Sequence, residues 1–358
     1  MNELWSERVT ANLLTGFLGA GKTTLLKRLL ATPDLAETAV LINEFGEVGI
    51  DHLLVEEIAD DAILLASGCV CCTIRGDLKE ALSRLHGRRQ RGEVPAFRRL
   101  VIETTGLADP APIVATFAAD PMLRHHFRIG NIITVVDAEN GLAALDAYDE
   151  SRRQVGVADR LVVTKTDLAP PERAAALRQR LGVMNPAAEI VDAGANDDVA
   201  DLLTRDVHDE STRLDEVARW LAVAEPDSHD HDHGDPGHDH ASRHDAVRAG
   251  LLTAEQPVDW AAFGLWLSML LNRHGSRILR VKGLVEIAGR AAPLVVQGVQ
   301  HTIHEPVHLD RWPAGVRGTQ IVVIADGIDP ALIQRSFAAF VSAGGADTLP
   351  LQAALSSA

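Results

Sequence analysis

The 358-residue chain has almost no cysteine, a single tyrosine, no long apolar run and a shortage of positive charge. Its three cysteines fall within the four residues Cys69-Val70-Cys71-Cys72, so no disulfide framework can staple a chain of this size. No segment approaches the roughly 20 consecutive apolar residues that cross a bilayer. The opening residues, Met1 to Arg8, lack the basic flank and apolar core of a secretory signal, and the expectation is a cytoplasmic chain. Against 50 Asp+Glu there are only 34 Lys+Arg, a formal net charge of -16 at pH 7. That charge repels phosphate backbones and anionic lipid alike, so neither nucleic acid nor membrane is an expected partner.

What is present divides into two folded regions, as expected for a chain longer than the roughly 250 residues at which a single core stops growing. From the start to about Ala195, short β-branched or apolar runs alternate with helical stretches. The runs are Val9 to Leu14, Thr38 to Ile42, Ala62 to Leu65, Leu100 to Ile102, Ile132 to Val136, Leu161 to Val163 and Glu189 to Val191. Continuous apolar runs of this length indicate strands buried on both faces of a mostly parallel sheet, an α/β doubly wound domain. Residues 223–246 change to Asp, His, Gly, Pro and Ser, a composition that cannot offset the entropy of ordering it and is expected to form a flexible linker. Residues 247–358 suggest a smaller α+β domain. Its expected elements are helices at Trp260 to Leu271 and Pro330 to Val341, with strands at Arg277 to Ile287, Leu294 to Val299 and Gln320 to Ile324.

The first expected strand runs into Gly16-Phe17-Leu18-Gly19-Ala20-Gly21-Lys22-Thr23-Thr24 and then a helical stretch. This satisfies the P-loop pattern, in which glycines let backbone N–H groups curl round a phosphate, the lysine reaches the β- and γ-phosphates and the hydroxyl ligates Mg(II). The bland alternative is a glycine-rich turn with a chance lysine. The flanking strand and helix favour a nucleotide site built from Gly16, Gly19, Ala20, Gly21, Lys22, Thr23 and Thr24. Glu103, at the tip of a buried strand and followed by Thr104-Thr105-Gly106, can supply the second acid near Mg(II), although a strand-end acid is often merely solvated. With Lys22 and Thr23 it completes the candidate catalytic set. In Thr164-Lys165-Thr166-Asp167, the Asp167 carboxylate can accept from the N1–H and N2–H₂ edge of guanine, and the Lys165 stem can lie over the base. A strand-end Lys-x-Asp is common by chance; its position after two nucleotide elements favours GTP.

The cysteine cluster opens toward a helix expected near Arg75, a setting that lowers thiol pKa values and favours metal-binding thiolate. Soft thiolates select Zn(II) or Cu(I) over Mg(II). The candidate ligand set is Cys69, Cys71 and Cys72, with Glu47 as a further donor. Inert buried thiols and a redox-sensing pair are the alternatives. His229, His231, His233, His238, His240 and His244 in the linker could capture cations loosely and deliver them locally, or serve only as a solvated spacer.

Taken in order, these motifs resemble the CobW-type metallochaperone GTPases. The stretches that carry the resemblance are Thr15 to Thr24, Asn43-Glu44-Phe45-Gly46, Cys69 to Cys72, Glu103 to Gly106 and Thr164 to Asp167, with Leu279-Arg280-Val281-Lys282-Gly283 and Gln297-Gly298-Val299 in the second domain. Thr164, where the usual motif has Asn, is the one departure among the core motifs. The resemblance implies a P-loop NTPase fold, Mg(II)-dependent GTP hydrolysis, Zn(II) at the cysteine motif, and metal delivery to a client protein; it leaves a homodimer open. A nucleotide-stabilised zinc buffer or storage protein would need no turnover. An ATP-dependent small-molecule kinase would need neither the cysteines nor Asp167.

Overall fold

The computed structural model describes residues 8–35, 37–42, 64–66, 74–194, 200–222 and 246–345, and two sheets organise them. In chain order the first sheet's strands are β1 (Val9–Gly16), β2 (Thr38–Ile42), β3 (Leu64–Ala66), β4 (Arg99–Glu103), β5 (Phe127–Asp137), β6 (Arg160–Thr164) and β7 (Glu189–Asp192). They line up as β3-β2-β4-β1-β5-β6-β7, all parallel. Its helices are α1 (Lys22–Leu30), α2 (Ile74–Gln90), α3 (Ala111–Ala119), α4 (Pro121–His126), α5 (Gly141–Ala147), α6 (Asp149–Val157), α7 (Pro171–Met184), α8 (Asp201–Thr204) and α9 (Arg213–Ala222).

Burial on both faces explains why these strands read as unbroken apolar runs rather than alternating ones. Ala11 and Leu13 of β1, Leu100 and Ile102 of β4, and Leu161 and Val163 of β6 point into the layer that contains Leu82 and Leu85 of α2 and Leu177 and Leu181 of α7. The intervening Leu14, Val101 and Val162 enter the opposite layer with Leu25, Leu26 and Leu29 of α1. All seven strands expected from the sequence form here.

Past residue 245 come β8 (Val247–Ala254), α10 (Trp260–His274), β9 (Ile278–Val285), β10 (Leu294–Val299), β11 (Thr302–Ile303), β12 (Val307–His308), β13 (Thr319–Asp326) and α11 (Pro330–Gly345). The second sheet is antiparallel, in the order β11-β10-β9-β13-β8 with β12 on β10. One of its faces is covered by Phe263, Trp266 and Leu270 of α10 and Phe337 of α11. The other turns toward the first sheet. There Leu279, Val322 and Ile324 join the first domain's core, and α9 lays Val217, Trp220 and Leu221 against Leu284 and Val295. A Cβ at Gly156 of α6 would lie 2.5 Å from the Leu279 side chain, so glycine permits the close crossing of α6 and β9. Among the described residues no helix is long and apolar enough to cross a membrane.

Period-two alternation in β9 brings Arg280 and Lys282 to this inner face, opposite Ile324 and Val322. Both are buried and both reach Asp159, which precedes β6: Lys282 Nζ donates to Oδ1 at 2.8 Å, Arg280 Nη2 donates to the same oxygen, and the Ile132 N–H donates to Oδ2 at 3.0 Å. Lys282 Nζ also lies 3.7 Å from the centroid of the Trp220 ring. Burial pushes the Asp159 carboxyl up, but the charges of Arg280 and Lys282 and the hydrogen bonds from Lys282 and Ile132 outweigh it and hold it well below the usual carboxylate range. Burial in turn pushes Lys282 down to about 8, with Asp159 opposing, so Asp159 and Lys282 are both charged at neutral pH.

Replacing Asp159 with Ala leaves two buried cations without their carboxylate and should destabilise the fold by about 3 to 5 kcal/mol in chemical denaturation. A carboxyl whose folded pKa is depressed contributes stability that is fully present above its unfolded value of about 3.9 and is lost as pH falls toward the folded one. The stability gap between the native chain and Asp159→Asn should therefore be widest near neutral pH and narrow below about pH 4.

Candidate nucleotide site

The loop from β1 to α1 is shaped by glycines at three positions of positive φ, Gly16 (140°), Gly19 (72°) and Gly21 (94°). At Gly16 any Cβ would sit 2.3 Å from the Val135 carbonyl oxygen of β5, so only glycine lets β1 turn away there. Gly21 occupies the N-cap of α1 and offers no side-chain oxygen to the first turn. The first N–H groups of α1 are therefore left for a ligand in the loop, the arrangement that binds phosphate. Lys22, buried, folds back so that Nζ donates to Gly16 O at 2.9 Å and Phe17 O at 3.1 Å.

Because β1 and β4 are parallel neighbours with Leu14 opposite Glu103, the tip of β4 reaches the base of the loop. Thr23 Oγ1 donates to Glu103 Oε1 at 2.8 Å. Two hard oxygen donors from distant parts of the chain thus converge where Mg(II) ligands are expected, and their chemistry fits that ion. The segment after Glu103 is tied down at each step. The Thr104 N–H donates to Leu14 O at 2.9 Å, its hydroxyl donates to Thr15 Oγ1 at 2.9 Å, and Gln154 Nε2 of α6 donates to Gly106 O and Ala108 O at 3.2 and 3.0 Å. At Gly106 a Cβ would lie 2.6 Å from Leu18 N, so glycine is what allows this turn to touch the phosphate loop.

The third element leaves β6 at Thr164, whose hydroxyl donates to Ala20 O at 2.6 Å. This position therefore fastens the phosphate loop to the following Lys165-Thr166-Asp167 segment. A threonine hydroxyl performs the tie here, and the departure from Asn leaves the strand-to-loop connection intact. Lys165 takes a left-handed backbone (φ 54°) and its Nζ donates to Asp137 Oδ2 at 2.6 Å. Burial pushes the Asp137 carboxyl up, yet hydrogen bonds from Lys165, Asn140 and Glu139 bring it below its ordinary value. Asp167 is exposed in the turn that follows, and Thr24 and Gly19 are also exposed, whereas Gly16 and Ala20 are buried.

The residues expected from the sequence to bind nucleotide lie at the C-terminal ends of β1, β4 and β6 or in the segments that follow them. Glu47, Cys69, Cys71, Cys72 and the linker histidines His229, His231, His233, His238, His240 and His244 lie outside the described residues. Among the described residues no group of three or more His, Cys, Asp or Glu could hold a metal ion. The sequence reading missed Asp137, Thr15 and Gln154. Asp137 had a usable signal, since it ends an apolar strand as Glu103 does; Gln154 had none, because its partners lie on a loop 46 and 48 residues away.

A parallel sheet with a glycine loop running into a helix, a part-buried Thr–Glu contact and a Lys-x-Asp turn defines a P-loop nucleotide-binding protein. Residues 10–192 match the CobW/HypB/UreG nucleotide-binding domain and residues 247–341 the cobalamin synthesis protein cobW C-terminal domain, and the chain belongs to this family. It is 33% identical over 294 residues to the zinc chaperone YjiA of Escherichia coli (strain K12), covering 82% of this chain and 86% of that one. It is 32% identical over 366 residues to a zinc chaperone CobW of Pseudomonas aeruginosa, covering 91% and 90%. A crystal structure of Zn(II)-bound YjiA GTPase from E. coli superposes with a TM-score of 0.66 at 26% identity, covering 93% of this chain and 99% of the other.

Thr164→Val keeps the volume but strands the Ala20 carbonyl. It should weaken nucleotide affinity by about five- to tenfold, the worth of one hydrogen bond, with Thr164→Asn closer to native. Gly106→Ala should weaken it further by displacing the loop at Leu18. Titration with a fluorescent guanine nucleotide checks both.

Proposed function

We propose that this protein is a GTP-hydrolysing metallochaperone that binds Zn(II) as cargo and couples its transfer to a client protein to the GTP cycle. The observation that carries this reading is a matter of register. Ala66, the last residue of β3, pairs with Ile42 at the end of β2, which pairs with Glu103 at the end of β4. Strands lie roughly 4.8 Å apart, so the chain leaves β3 for Cys69 only about 10 Å from the column of Glu103. β2 and β3, the strands that precede the segments Asn43 to Asp51 and Cys69 to Arg75 in the chain, thus end level with Glu103. The similarity to zinc chaperones and to a Zn(II)-bound GTPase supports the same reading.

In the working site, the loop N–H groups and Lys22 hold the triphosphate, Lys22 exchanging its two carbonyl partners for phosphate oxygens. Thr23 and Glu103 would hold Mg(II), which would neutralise charge developing on the phosphate oxygens. Asp167 reads the guanine edge and Lys165, anchored by Asp137, supports the base. Cys69, Cys71 and Cys72 with Glu47 take the zinc, and the linker histidines raise its local concentration. Segments that respond to both γ-phosphate and metal can switch between ordered and released states on hydrolysis, as other nucleotide switches do. A coupling of about 1 to 3 kcal/mol changes affinity roughly 5- to 150-fold and is reciprocal.

Zn(II) should therefore shift the affinity for a non-hydrolysable GTP analogue by at least about fivefold, and the shift should vanish in Cys71→Ser. Equal affinities with and without Zn(II) overturn the coupling. Multiple-turnover phosphate release separates this protein from a zinc buffer, and ATP competition separates it from a kinase. Asp167→Asn should lower GTP affinity and favour the xanthine nucleotide, since the amide offers a donor where xanthine presents a carbonyl.

A further inference from the structure

At the end of the parallel sheet opposite the phosphate loop lies a cleft of about 690 Å³, bounded by the beginnings of β1, β4 and β5 and the last turns of α2 and α4. For a protein of formal net charge -16 its lining is unexpectedly basic: Arg8, Arg89, Arg98, Arg99 and Arg128, against the acids Asp206 and Asp209. Basic residues are common at helix C-termini, where they answer the negative end of the dipole. That accounts for Arg89 but not for Arg98, Arg99 and Arg128, which come from strand starts.

The second observation is His86. Its side chain is only 8% exposed, it lines the cleft, and neither ring nitrogen has a hydrogen-bond partner among the described residues. Its ring stacks on His126 with centroids 3.9 Å apart, and His126 in turn meets His125 at 4.6 Å. Burial, followed by the neighbouring charges of His126, Arg89 and His125, pushes its pKa down to about 4. The imidazole is then neutral at pH 7, with one N–H to give and no acceptor for it among the described residues. Arg89 sits 5.3 Å over the Phe97 ring and has no carboxylate partner among the described residues. Arg98 is paired with Glu37 at 2.8 Å, and Arg128 uses Nε on Thr10 Oγ1 at 2.9 Å, which leaves its terminal nitrogens for another acceptor. The guanidiniums around His86 repel a metal ion. Guanidinium forks and a spare imidazole N–H suit the oxygens of a phosphate.

We propose that this cleft is a second anion site, distinct from the phosphate loop, for a small phosphorylated metabolite carrying at least two phosphate charges, held by Arg89, Arg128 and His86.

The test uses the full chain carrying Lys22→Ala, which weakens the phosphate loop, in nucleotide- and magnesium-free buffer, titrated with inorganic pyrophosphate in a calorimeter. One equivalent should bind, and Arg89→Ser and Arg128→Ser should each weaken binding by about tenfold or more, as expected for loss of a charge-assisted contact. The Hε1 resonances of His86 and His126 should move during the titration, a readout that does not depend on the variants folding as well as the parent. The absence of binding, affinity unchanged in both arginine variants, or binding of poly-aspartate but not pyrophosphate would overturn the proposal.

Discussion

Asp159 is a carboxylate sealed between two domains, accepting from Arg280, Lys282 and the backbone of Ile132. Removing two cations and an anion from water is expensive, and their attraction offsets that expense only if the geometry holds. A one-residue slip of β9 would turn Arg280 and Lys282 into the apolar layer of Phe263 and Phe337, so the triad selects a single register for the second sheet. It also determines which face of that sheet meets the first domain. The apolar contacts around it, Leu279 against Gly156 and α9 against Leu284 and Val295, add burial.

That docking extends to the nucleotide loops. Helix α6 packs on β9 through Gly156 and, two residues earlier, Gln154 holds the carbonyls of Gly106 and Ala108. Gln300, in the turn after β10, donates to Asp109 at 2.9 Å, just beyond the same loop. The segment that follows Glu103 is therefore held from below by the phosphate loop and from the side by the second domain. A displacement of either would be felt by the other, because packed interiors have few intermediate arrangements.

Much of this was legible in residue types. The strands were readable because a parallel sheet buried on both faces needs unbroken apolar runs, and Leu161 to Val163 or Thr38 to Ile42 admit few other readings. The phosphate loop was readable because positive φ at Gly16, Gly19 and Gly21 demands glycine, and that demand leaves a mark in sequence. Thr164 was noticed only as a departure from Asn; its hydroxyl contact with Ala20, 144 residues away, has no local signature. Arg280 and Lys282 were visible as part of a family motif, yet a strand with two cations gives no hint that both are buried.

Sequence alone thus determined the strand order along the chain, the glycine turns and the chemical inventory of the nucleotide site, since each follows from local sterics, periodicity or side-chain chemistry. Tertiary structure decided which distant groups meet: Thr23 with Glu103, Lys165 with Asp137, Asp159 with Arg280 and Lys282, and the basic residues that converge around His86. Such pairings are set by strand order and domain docking, which depend on the summed burial of many residues rather than on any short stretch of chain.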